Sequence, residues 1–117
     1  MEFNSLMIGS ENPERLVEFY RRLFGDPAWE DGAYTGWQLG SVVVMVAPHD
    51  RVKGDSAEPG RLIWNLTSTD VPGDSERFRA AGATVIAEPY HPGDVEETWI
   101  ATFADPDGNY FQINSPM

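Results

Sequence analysis

The sequence predicts an α+β protein built from two βαβββ modules, and two observations lead to this fold class. The order strand, helix, strand, strand, strand occurs twice along the chain, once on each side of a polar stretch at residues 48–60. Both predicted helices stop at a glycine, Gly25 and Gly82, as helices commonly do. Because 117 residues is the length of one domain, we expect a single domain with module one at 1–47, a linker at 48–60 and module two at 61–117.

The first module opens with an extended run at 3–9 that predicts a strand. Asn12 followed by Pro13 is typical of a helix start, since a capping side chain and a proline at the first helical position both favour one. The helix then shows apolar residues at the spacing i, i+3, i+4, i+7, namely Leu16, Phe19, Tyr20 and Leu23. Three shorter extended runs complete the module, at 28–31, 34–39 and 41–47.

The second module repeats this order. A strand is predicted at 61–69, and a helix at 70–81 whose cap is either Asp70 or Asp74. Three extended runs follow, at 84–88, 97–103 and 110–114. The last two flank Asp105-Pro106-Asp107-Gly108, which has the composition of a type I turn running into a left-handed glycine and therefore predicts a hairpin.

The composition excludes several classes of function. Nineteen acidic against eight basic residues give a net charge of −11, which is the wrong sign for nucleic acid or anionic lipid. The lack of cysteine removes disulfides, thiolate metal sites and cysteine nucleophiles. No apolar run approaches the roughly 20 residues that span a bilayer, and the first residues lack the pattern of a signal peptide. We expect a cytoplasmic protein with no membrane and no nucleic-acid partner.

Three phrases together resemble the vicinal oxygen chelate superfamily, which includes glyoxalase I, extradiol dioxygenases, fosfomycin-resistance transferases and bleomycin-resistance proteins. They are the helix phrase from Asn12 to Gly25, the helix ending Arg79-Ala80-Ala81-Gly82, and the turn Asp105-Pro106-Asp107-Gly108-Asn109. The resemblance covers essentially the whole chain. It implies two βαβββ modules that each curl a sheet into half of a cup around a small ligand, and members of this size commonly form homodimers.

The resemblance also implies a divalent metal held by one residue from the first and one from the fourth strand of each module, mostly His and Glu. The matching positions are Ser5, with Met7 on the same strand face, then Val44, then Ile63 (or Leu62 or Trp64 after a one-residue slip), and finally Gln112. Only Gln112 keeps a side chain that suits such a site, and one neutral amide does not hold these metals. We therefore expect no metal and no other cofactor.

The remaining polar residues are weak candidates for a displaced metal or a catalytic site. His49 and His91 each lie beside a proline in a predicted loop, which favours surface histidines over ligands. Asp105 and Asp107 are explained by the turn, and Asp94, Glu96 and Glu97 by a solvated loop face. We find no pattern typical of a phosphate-binding loop or of a nucleophile with its base.

Aromatic residues provide the alternative to metal chemistry. Trp37 and Trp99 fall on or beside strands that would line the cup, and each is open to two readings, packing or ligand contact. An aromatic cup in a negative field favours a planar or cationic organic ligand over an anionic one. Asn65 and Thr67 add hydrogen-bonding groups. The predicted ligand-binding residues are Ser5, Met7, Trp37, Val44, Ile63, Asn65, Trp99 and Gln112.

Two functions follow from these residues. The first is a metal-free binding protein that sequesters a small molecule, similar to bleomycin-resistance proteins and thus to antibiotic resistance. The second is an enzyme, a diverged glyoxalase-like lyase or isomerase or a dioxygenase, with altered metal ligands. Whether the chain is catalytic therefore stays open at this point.

Overall fold

The structure is a computed structural model that describes residues 1–93 and 95–116, so Asp94 lies outside the described residues. The chain divides into two compact units, Met1–Gly54 and Asp55–Met117. Each unit contains one helix and one four-stranded mixed sheet, in the order strand, helix, strand, strand, strand. The predicted α+β class with two βαβββ modules is therefore confirmed. Within the described residues, no helix is long and apolar enough to cross a membrane.

The first unit forms its sheet by pairing its first strand with its last. The strands are β1 (Ser5–Ser10), β2 (Trp29–Asp31), β3 (Tyr34–Leu39) and β4 (Val42–Pro48), and their order in the sheet is β1-β4-β3-β2. β1 and β4 run parallel, whereas β3 pairs antiparallel with both β4 and β2. A helix, α1 (Pro13–Phe24), connects β1 to β2 and supplies the crossover that a parallel pair needs.

The helix α1 covers one face of this sheet. Its four predicted core residues, Leu16, Phe19, Tyr20 and Leu23, are all buried, so the predicted helical spacing is confirmed. Pro13 occupies the first helical position, and Gly25 follows the helix with φ 86°, a backbone conformation that favours glycine. Asn12 makes no capping hydrogen bond through its side chain, and its own backbone N–H instead donates to Ser10 Oγ.

The second unit repeats the arrangement. Its strands are β5 (Trp64–Thr67), β6 (Thr84–Tyr90), β7 (Ile100–Ala104) and β8 (Tyr110–Asn114), in the order β5-β8-β7-β6, with β5 parallel to β8. Its helix is α2 (Val71–Ala80). Asp70 is the N-cap residue, and its carboxylate accepts a hydrogen bond from the Gly73 N–H. Asp74 has a different role and accepts from Ser68 Oγ.

An aromatic cluster joins α2 to the second sheet. The ring of Phe78 lies 5.5 Å from that of Phe103 and 6.0 Å from that of Phe111, and all three are buried. The loop between β7 and β8 forms the predicted turn, with the Gly108 N–H donating to the Asp105 carbonyl and Gly108 at φ 80°. The buried carboxylate of Asp105 accepts from the backbone N–H groups of Asp107 and Asn109, which explains this aspartate structurally.

Several predicted strand boundaries were wrong. The strand predicted at 61–69 is reduced to β5, because Pro59–Arg61 forms a short 3-10 turn instead. The strand predicted at 97–103 starts only at Ile100. In contrast, β6 continues two residues past the predicted 84–88, through irregular pairing with β7.

Candidate ligand-binding faces

Each sheet has one face covered by its helix and one face turned away from it. In the first unit the register places Met7 beside Met45 and Met45 beside Gly36, so these three residues form a row across the sheet on the uncovered side. We call this surface the methionine face. Its members are Ser5, Met7, Trp29, Asp31, Tyr34, Gly36, Gln38, Val43 and Met45.

Two predicted ligand-binding residues lie on the opposite side. Val44 pairs with Leu6 and with Trp37, and both Val44 and Trp37 are only 2% exposed. The Trp37 ring lies 6.2 Å from that of Tyr20 on α1. The expectation that Trp37 and Val44 line the ligand side was therefore wrong, because strand alternation turns both into the core under α1. Ser5 and Met7 do lie on the uncovered side.

The tryptophan on the methionine face is Trp29. It pairs with Gly36, and its indole atoms Cε2 and Cζ2 lie 2.6 Å from the position that a Cβ on Gly36 would take. The indole therefore occupies the space that the missing side chain leaves, and Trp29 is still 38% exposed. Met7, at 48% exposed, extends the apolar surface at the other edge of the row.

The middle of the uncovered side of the second sheet is polar. Asn65 pairs with Gln112 and Gln112 with Thr102, so these side chains form a row across β5, β8 and β7. Gln112 Nε2 donates to Thr102 Oγ1 at 3.0 Å, and Asn114 Nδ2 donates to Asn65 Oδ1 at 3.0 Å. We call this surface the amide face, and its members are Asn65, Thr67, Thr102, Gln112 and Asn114. The predicted residues Asn65 and Gln112 are thus brought together.

The remaining two predicted residues, Ile63 and Trp99, lie just outside the strands. Ile63 precedes β5, and its carbonyl accepts from Asn65 Nδ2 at 3.2 Å. Trp99 precedes β7, with its ring 4.0 Å from that of His91. His91 Nδ1 lies 2.9 Å from the Thr98 carbonyl oxygen, and the exposed ring of His91 is thereby tied to its own loop.

The residues at the four implied metal positions do not fit a divalent metal. At the two first-strand positions these residues are Ser5, on β1, and Ile63, just before β5. On β8 it is Gln112, and on β4 the residue of the methionine face next to Val44 is Met45 or Val43. A hydroxyl, an alkyl chain, a thioether and one neutral amide do not form the imidazole and carboxylate set that such metals use. Among residues 1–93 and 95–116, no group of three or more His, Asp or Glu side chains is placed to hold a metal.

The family can be assigned from a comparison with known sequences. The sequence model of the family described as "Glyoxalase-like domain" matches residues 5–114, which is nearly the whole chain. The chain belongs to this glyoxalase-like domain family. The predicted membership of the vicinal oxygen chelate superfamily is confirmed with it. A protein of Mycolicibacterium smegmatis described as uncharacterized is 24% identical over 116 residues, which cover 99% of this chain and 95% of that protein.

Solved structures agree with the fold of a glyoxalase-like domain. A glyoxalase-related enzyme from Fulvimarina pelagi is 20% identical with a TM-score of 0.79, over 98% of this chain and 88% of that one. A glyoxalase/bleomycin resistance protein/dioxygenase family enzyme from Burkholderia phytofirmans is 20% identical with a TM-score of 0.77, over 97% and 98% of the two chains. At this level of identity the likeness shows the fold alone.

Sequence reasoning missed several members of the two faces of this glyoxalase-like protein, namely Trp29, Met45, Thr102 and Asn114. Gly36 was the available signal for Trp29, because a glycine inside a strand often marks the close approach of another group. Met45 could be assigned to the methionine face only from the register of β4 against β1. Thr102 and Asn114 contribute through the hydrogen bonds they make with Gln112 and Asn65, for which the sequence has no local signal.

Proposed function

We propose that this glyoxalase-like protein is a small-molecule binding protein of the bleomycin-resistance type, which sequesters a planar or cationic organic ligand and carries no catalytic metal. The observation that carries the proposal is the donor set at the implied metal positions. Ser5, Ile63 and Gln112, with Met45 or Val43 on β4, offer oxygen, alkyl and thioether groups in place of imidazole and carboxylate.

The chemistry of the two uncovered faces supports a binding role. The methionine face combines the exposed indole of Trp29 with two thioether side chains, which pack adaptably against aromatic rings. The amide face offers carboxamide and hydroxyl groups that orient a ligand by hydrogen bonding. A net charge of −11 attracts cations and repels carboxylates and phosphonates.

Two measurements test this function. Elemental analysis after dialysis against a weak chelator is expected to find far less than one divalent metal per chain. Titration with N-methylquinolinium, a planar cation, is expected to quench tryptophan fluorescence with a saturable curve, whereas 1-naphthoate, an anion of similar size, is not. About one bound metal per chain, or no binding of the cation, would overturn the proposal. Bound metal would favour a diverged lyase, isomerase or dioxygenase with altered ligands.

A further inference from the structure

The hairpin of β2 and β3 brings two aromatic rings and a carboxylate to one face of the first sheet. Trp29 pairs with Gly36, and Asp31 pairs with Tyr34 across the same hairpin. Residues two apart in a strand point to the same side, and so do directly paired residues. Trp29, Asp31 and Tyr34 are therefore all on the methionine face. Trp29 and Asp31 are about 7 Å apart along β2, and Tyr34 lies opposite Asp31 on β3.

The two rings are exposed although they lie on a regular hairpin with a tight turn. Trp29 is 38% exposed and Tyr34 is 47% exposed. The turn between the strands has Gly32 at φ 59° as its first central residue, which is the requirement of a tight hairpin turn. The indole is seated over Gly36 on one side, since a Cβ there would lie 2.6 Å from its atoms. The rest of the ring is thus available to a ligand.

The carboxylates of the hairpin point to different sides. Glu30, between Trp29 and Asp31, points toward α1, where its carboxylate lies 3.5 Å from Arg21 Nη2. Asp31 is exposed and makes no ion pair with any described residue, so its charge is not neutralised locally. A negative charge beside two aromatic faces is the combination that recognises an organic cation.

We propose that Trp29, Tyr34 and Asp31 form a subsite for the positively charged ring of the ligand, which makes the ligand a planar heteroaromatic cation. This inference rests on the proposed function and names its ligand class. The cation stacks on the rings through cation–π attraction, while the carboxylate of Asp31 supplies the counter-charge. Because all three groups are exposed, an incoming cation removes little of the solvation of Asp31, while screening by water and salt keeps the electrostatic gain modest.

Matched probes and matched variants test the subsite. N-methylquinolinium and 1-methylnaphthalene have nearly the same shape, but only the first is charged. We expect Asp31→Asn to weaken binding of the cation about three- to five-fold at low salt and to leave binding of the neutral probe unchanged. Glu30→Gln is the matched control, because it removes the same charge one residue away on the opposite side of the strand, and it should change affinity less than about two-fold.

Two further variants test the indole ring itself and the place it occupies over Gly36. Trp29→Ala should weaken binding of N-methylquinolinium about tenfold. Gly36→Ala keeps Trp29 but places a methyl group where the indole now sits, so it should weaken binding as well, with the fold checked by thermal unfolding.

The outcomes distinguish this inference from the function on which it rests. If the wild-type protein binds N-methylquinolinium and both Asp31→Asn and Trp29→Ala bind it equally well, the subsite is overturned while the proposed function stands. If the wild-type protein does not bind N-methylquinolinium, the proposed function itself fails. If Trp29→Ala changes the molecular mass from two chains to one in light scattering, the rings belong to an interface between copies, which also overturns the subsite.

Discussion

The indole Nε1 of Trp37 donates a hydrogen bond to the carbonyl oxygen of Gly25, 2.9 Å away. Gly25 ends α1, and its own N–H donates to the Arg21 carbonyl within the helix. Trp37 on β3 therefore fastens the end of α1 to the sheet, while its ring packs near Tyr20. This tryptophan, which the sequence placed among the ligand contacts, has a structural role.

Substitution of Trp37 should affect stability and leave binding unchanged. Trp37→Phe loses the hydrogen bond and part of the packing, and we expect a loss of about 1–2 kcal/mol in the free energy of unfolding. Trp37→Ala leaves a cavity and should cost about 3–5 kcal/mol. Urea unfolding measures both values. Weaker binding of N-methylquinolinium by a Trp37→Phe protein of unchanged stability would contradict this role.

The cap of α2 provides a second stability prediction. Asp70→Ala removes the acceptor for the Gly73 N–H, 3.1 Å away, and should lower the free energy of unfolding by about 1 kcal/mol. Gly73→Ala should act through the same cap, because its Cβ would lie 2.1 Å from Asp70 Oδ2. The double variant should therefore be less destabilised than the two single losses added together. Asp50→Ala, with a side chain that is 93% exposed, is the control. Strictly additive losses would show that the two residues act independently.

Gln112 is expected to orient a hydroxyl-bearing molecule that binds the amide face. Its Nε2 donates a hydrogen bond to Thr102 Oγ1, which fixes the orientation of the amide and leaves Oε1 as an acceptor for a donor group on that molecule. A neutral hydroxyl-bearing probe, 2-naphthol, should bind the wild-type protein about three- to tenfold better than naphthalene. Gln112→Ala should abolish this preference. Gln38→Ala, at a glutamine of the other unit bonded to the Gly40 carbonyl, should retain it. Loss of the preference in both variants would remove Gln112 from this role.

We expect the chain to form a two-fold dimer. Within their own sheets, β1, β2, β5 and β6 are edge strands, and exposed strand edges are usually paired or covered. Light scattering at micromolar concentration should give about twice the mass of one chain. A single-chain mass across that concentration range would rule the dimer out.

Helix limits and the final turn were predicted well because their signals are local. Pro13, Gly25 and the Asp105-to-Gly108 turn each act within a few residues, so their effect is readable in the sequence. The side of β4 on which Val44 lies was not predicted correctly, because it depends on the length of the turn before the strand. Gly40 and Ser41 make a two-residue turn that pairs Leu39 with Val42, whereas five residues separate Ala104 from Tyr110. Val44 is matched to Gln112 by aligning Gly40-Ser41 with Gly108-Asn109. Because the two turns differ in length, this alignment places Val44 on the wrong side of β4.

The candidate site was only partly predictable for a related reason. Which side of a strand is covered depends on the neighbouring strands and on the helix, and those contacts join residues far apart in the sequence. Trp29 and Trp37 have similar local surroundings in the sequence, yet one lies on the methionine face and the other under α1. The amide face was found in part because the family resemblance pointed to Gln112 and because Asn65 is a polar residue within a predicted strand, where a polar side chain is itself informative.

Because each unit pairs its first strand with its last, the two sheets become able to assemble at different times during synthesis of the chain. β5 is an edge strand whose neighbour in the sheet is β8. Because β8 is the last strand of the unit, β5 emerges from the ribosome long before its partner has been synthesised. The first unit faces the same delay with β1 and β4, but its final strand is complete by Pro48, well before the second unit has been made. The first sheet is therefore able to assemble while translation continues, whereas the second must wait until β8 has left the exit tunnel.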